Sequence, residues 1–177
     1  MWRKRFERLN LFHMPHNPRI PPNPDQLKSL LRKHLSFEIG RFRKSASLWD
    51  KAKYGGVEDA MIRESCLIHM RLLLDFFYPR INPKKSKHED VFASDYLPER
   101  GRLPQELANN PPWLQEYRDQ LDWRLAHLTM KRFEFDERPV WQPQEQFGHL
   151  ERLIAAFLVA LPADVRAEFD PDKGWAS

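Results

Sequence analysis

Two arginine–histidine pairs carry side chains able to handle a phosphate. Arg124 and His127 lie three residues apart, so on a helix they sit about 60° apart and can serve one anionic group together. Arginine would hold the phosphate while histidine moves a proton at neutral pH. Arg63 and His69 are six residues apart, which puts them about 120° apart on a straight helix, so that helix alone does not converge them. Metal binding is the other chemistry on offer. His34, His69, His127 and His149 fall one to each of four helical windows, and an inward-pointing set completed by Asp75 or a glutamate would make a metal shell inside a bundle. His149 is flanked by Glu145, Gln146 and Arg152 and is expected to face water. No metal ligand set and no cofactor is therefore assigned.

Other chemistries lack their motifs. There is no glycine-rich phosphate loop, no Gly-x-Ser-x-Gly elbow, no His-Glu-x-x-His and no Cys-x-x-Cys. Only six glycines occur, none where a strand would pass into a helix, which disfavours a nucleotide-binding α/β enzyme.

The elements that must position these residues are marked out by proline. Fifteen prolines cluster, leaving proline-free windows with helical periodicity. The first window opens at Asn23-Pro24-Asp25, a cap followed by proline at the first helical position. It continues through Leu27, Leu30, Leu31, His34, Leu35 and Phe42 and stops at Tyr54-Gly55-Gly56. The second helix is expected at about residues 57–77, with Val57, Ala60, Met61, Ile68, Leu72 and Phe76 inward and Glu64, Arg71 and Asp75 on a polar edge. The third begins at Asn110-Pro111-Pro112 and repeats Trp113, Leu114, Tyr117, Leu121, Leu125 and Leu128. The fourth opens near Pro143 with the cleanest stripe: Phe147, Leu150, Ile154, Phe157, Leu158 and Leu161.

Four amphipathic helices must cover one another. The expected fold is all-α: an up-and-down-like bundle of four main helices over residues 24–162. A basic, proline-rich arm precedes it at 1–23, a long loop joins helices two and three, and residues 163–177 form a short helical turn and a frayed tail. The loop has room for a short helix around Glu89-Asp90-Val91-Phe92-Ala93, and Phe133-Glu134-Phe135 is too short to found a sheet.

Charge adds a partner expectation. The arm holds Arg3, Lys4, Arg5, Arg8 and Arg19 against Glu7, while the other residues balance at 24 basic and 24 acidic. The whole net charge of +4 therefore sits on the arm. Trp2, Phe6, Leu9 and Phe12 alternate with those cations, and aromatics so dense are expected to dock on protein, either their own bundle or a partner's. RNA is the competing target. No apolar run is long enough to span a bilayer, no secretory signal follows the basic start, and Cys66 is alone. A soluble protein of the reducing cytoplasm is expected.

Across its second and third helices the chain resembles the HEPN-type helical domains, many of which are RNA-cleaving toxins or defence proteins. Their signature is an arginine, commonly followed by a polar residue, then a histidine four to six residues on. Arg63-Glu64-Ser65-Cys66-Leu67-Ile68-His69 has that spacing, with glutamate as the follower. Arg124 stands closer to His127 than the pattern, and Arg118 farther. The resemblance implies metal-independent RNA cleavage through the 2′-hydroxyl, often at a dimer interface, by Arg124 with His127 or Arg63 with His69.

The first functional expectation is a small helical protein acting by protein–protein binding or homodimerisation. A HEPN-like ribonuclease is the alternative, and a His-rich metal-binding bundle is third. An exposed apolar patch would point to the first, Arg–His convergence in a cleft to the second, and convergence of three histidines to the third.

Overall fold

A computed structural model of the protein describes residues 22–49, 56–80, 90–97, 109–122 and 143–172. Residues 1–21 of the arm, the Arg124–His127 pair, Leu125, Leu128 and residues 133–135 lie outside them. The protein is all-α: 77% of the described residues are helical and none is in a strand. In chain order the helices are α1 (Pro24–Leu30), which runs through a π-helical stretch (Leu31–Leu35) into α2 (Ser36–Trp49), then α3 (Val57–Phe77) and α4 (Ala93–Tyr96). They continue with α5 (Leu114–Leu121), α6 (Gln144–Ala160) and α7 (Ala163–Arg166).

Helix α1 starts where its cap is. The Asn23 side chain accepts from the Gln26 backbone N–H, and the Gln26 side chain accepts in return from the Asn23 N–H, both at 2.9 Å. Leu27, Leu31, Leu35 and Ile39, all buried, then recur every four residues. On a regular α-helix such a row drifts by about 40° per step, because four residues exceed one 3.6-residue turn. The widened turn, closed by the Ser36 N–H on the Leu31 carbonyl, takes up that drift and keeps the row facing inward.

The core lies where α2, α3 and α6 meet, with α4 and α5 closing its sides. Helix α6 contributes Leu150, Leu153, Ile154 and Phe157, each fully buried, so its stripe is as the periodicity requires. Arg43 of α2 and Glu151 of α6 form a two-pronged ion pair at 2.9 and 3.0 Å, which at this exposure contributes at most about 1 kcal/mol.

Helix α3 departs from expectation. Its buried residues are Cys66, Leu67, Met70, Leu73, Leu74 and Phe77, whereas Val57, Met61, Ile68 and Leu72 are exposed. The helix is apolar on two opposite faces, and periodicity alone selects the wrong one. The short helix in the loop also sits later than expected, at Ala93–Tyr96, because Asp95 accepts from the Phe92 backbone N–H at 2.7 Å and caps it there.

The C-terminal segment through Asp172 is docked, not frayed. Val165 and Phe169 pack on the core, and the Asp170 N–H donates to Ser36 Oγ at 3.2 Å. The Pro171 backbone lies so close to Gly40 that a Cβ there would overlap its carbonyl oxygen. Glycine to alanine in a helix ordinarily stabilises. Gly40→Ala is instead expected to cost about 1–3 kcal/mol in urea melts, because backbone and helix must separate. A gain in stability would mean that the segment is not seated on α2.

Candidate functional site

The two residues of the Arg63–His69 pair are held apart. The Arg63 guanidinium lies over the Trp49 ring, 5.3 Å from its centroid. His69 Nδ1 is 2.5 Å from Glu38 Oε2, and its ring is edge-on to Phe37. Trp49 and Glu38 are eleven residues apart on α2, about 16 Å along its axis. Each side chain therefore has its own station, and the two do not share a cleft.

The described histidines do not gather either. His34 is exposed on the π-helical stretch, His69 is on Glu38, and His149 is on Tyr78. Among the described residues no group of three or more His, Cys, Asp or Glu is placed to hold a metal ion. The expectation that His149 faces water is corrected: it is buried, with Nε2 2.7 Å from the Tyr78 hydroxyl and its ring edge-on to Trp113. Burial, aided by Arg152, lowers the His149 pKa, and burial pushes the Tyr78 phenol up to about 12. Both shifts favour the neutral forms, and one hydrogen bond joins the Tyr78 hydroxyl and Nε2. This is a core hydrogen bond with no open face for a substrate.

At the C-terminal end of α3, three arginines share two aspartates. Asp122 accepts from Arg71 at 2.8 Å and from Arg80 at 2.7 Å, while Asp75 accepts from Arg80 at 3.1 Å and Arg118 at 3.0 Å. Hydrogen bonding to Asp122 raises the Arg80 pKa, whereas burial lowers that of Arg118. Arg118, only 4% exposed, also donates to the Leu74 and Tyr78 carbonyls and so caps the end of α3. Arg71 and Arg80 line a cleft of about 420 Å³ together with Asp90 and Phe92.

The fourth feature is apolar. Val57, Met61, Ile68 and Leu72 are 78%, 64%, 46% and 49% exposed. Steps of four, seven and four residues place them within about 60° of one another, on the side of α3 opposite the core. The stripe ends at Leu72, which also lines the arginine cleft and a groove of about 160 Å³ walled by Leu30, His34, Val91 and Tyr96. Single exposed apolar residues are ordinary on a protein surface; four in one row, running into an apolar groove, are not. No helix among the described residues is long and apolar enough to cross a membrane. No protein-family model matches the chain, and neither curated proteins nor solved structures yield a match.

Proposed function

We propose that the chain acts by binding protein, with the outward face of α3 as the docking surface. The observation that carries this is the row Val57, Met61, Ile68 and Leu72, aligned and open to solvent on a helix whose other face already fills the core. Fully burying a side chain of this size contributes about 1.5–3 kcal/mol. Part of each is already covered, so the row supplies less than four times that, still enough to anchor a modest complex. The arm, through Trp2, Phe6 and Phe12, is proposed as a second contact element. The single, buried thiol of Cys66 fits a reducing compartment such as the cytoplasm.

The test separates docking from folding. Ile68→Glu and Leu72→Glu are expected to move stability by no more than about 0.5 kcal/mol, as surface changes do. A photo-crosslinking residue at position 61 is expected to form a discrete adduct in cells, and Leu72→Glu is expected to abolish it. Absence of any adduct, or an adduct indifferent to Leu72→Glu, would sink the proposal. The HEPN-like ribonuclease stands second, because Arg63 and His69 are engaged at separate stations. RNA degraded by the full chain and spared by His69→Ala would reverse that order.

A further inference from the structure

Resting on the α3 docking face just proposed, we infer that its occupant is a second copy of this chain, packed α3 against α3 in antiparallel fashion about a two-fold axis between Glu64 and Ser65. The stripe is self-complementary about that point. Val57 and Leu72 are equidistant from it along the helix, and so are Met61 and Ile68. When two antiparallel helices face each other across a two-fold axis, residue i of one meets residue j of the other and j meets i. Val57 then lies level with Leu72 of the second copy, and Met61 with Ile68 of the second copy, in both halves of the seam. The row from Val57 to Leu72 covers about 22 Å, so the seam is continuous except at its centre. A parallel pairing would instead leave the two ends unrelated by symmetry to the groove that opens at Leu72.

Charge supports the same arrangement. The first turn of α3 carries Glu58 and Asp59, while beside its C-terminal end Arg71, Arg80 and Arg118 are grouped on Asp75 and Asp122, net positive by one. Antiparallel pairing brings the acidic end of one helix level with the basic end of the other, and sets their helix dipoles in opposition. The one unfavourable element is central. Glu64, exposed, sits on the stripe between Met61 and Ile68, and the two-fold axis places it beside Glu64 of the second copy. Self-association is therefore restrained by a like-charge pair at its axis.

Geometry makes the test specific. Sedimentation of the full chain at on the order of 100 μM should show a dimer, since an interface of four apolar side chains per copy belongs at the small end. Ile68→Glu should leave a monomer of unchanged melting temperature, and Glu64→Gln should tighten the dimer several-fold. A short bismaleimide should join Val57→Cys to Leu72→Cys when the two variants are mixed, and neither variant to itself. Cys66 does not compete, because it is buried and its pKa is pushed up to about 12. A chain that stays monomeric, or one in which each variant links only to itself, overturns the pairing. Weakening by Glu64→Gln overturns it too and points to a cationic occupant such as the arm. A cellular adduct whose mass is not that of two chains would also overturn the second copy as occupant, while leaving the binding face standing. Loss of every adduct would remove both.

Discussion

Phe157→Ala is expected to lower unfolding free energy by about 3–5 kcal/mol, measured by urea denaturation of the full chain. The ring is fully buried and meets Phe76, Phe77 and Tyr96 edge-to-face, with centroids 5.4, 5.7 and 5.6 Å away. Those partners come from α3 and α4, so one side chain ties three helices together. Alanine would remove both the buried surface and the edge-to-face geometry, and the aromatic neighbours cannot close the gap without leaving their rotamers. Phe157→Leu should recover part of the loss, since it restores volume without the ring. A loss under about 1 kcal/mol for the alanine variant would mean that α6 does not centre the core.

Arg118→Ala is the second large effect, expected at about 3 kcal/mol in the same measurement. The guanidinium supplies the Leu74 and Tyr78 carbonyls and the Asp75 carboxylate at once. Alanine strands two carbonyls at the end of α3 and leaves Asp75 to Arg80 alone. Arg118→Lys keeps the charge but loses the planar fork, so it should fall between. A change within about 0.5 kcal/mol for alanine would show that water serves those carbonyls equally well.

The helices were legible in the sequence where polar and apolar residues separate cleanly. In α6 the charged residues Glu145, Glu151 and Arg152 avoid the stripe, and the expected face is the buried one. In α3 nine of the twelve residues from Cys66 to Phe77 are apolar, so no single face stands out, and the two rows compete. The exposed row extends farther back, to Val57, than the buried one. The row from Val57 to Leu72 looks like core in one dimension and is surface in three.

Burial of polar groups was harder to read, for a different reason. Arg118 lies four residues after Leu114 and three before Leu121, on the apolar face of α5, and that placement was a usable signal. What it bonds is the end of α3, some forty residues away, which no local pattern displays. His149 likewise stands four residues before the buried Leu153, a better guide than its charged neighbours. Its partner Tyr78 is seventy-one residues distant. Of the four proposed catalytic residues, Arg63 and His69 were identified by spacing along the chain, and spacing does not report that α2 supplies each with its own partner.

A π-helical turn is an α-helix carrying one residue more than its ladder needs. Deleting one residue from Leu31–Leu35 would leave an uninterrupted α-helix and hardly turn what precedes it, because the wide turn already absorbs about one residue's 100° of rotation. Leu27 would stay in the core, and Lys28 would stay within reach of Asp164. In evolutionary terms this helix can therefore lose a residue here without the apolar pattern ahead of it being rewritten. A homologous chain shorter by one here should carry its inward residues in steps that mix three with four.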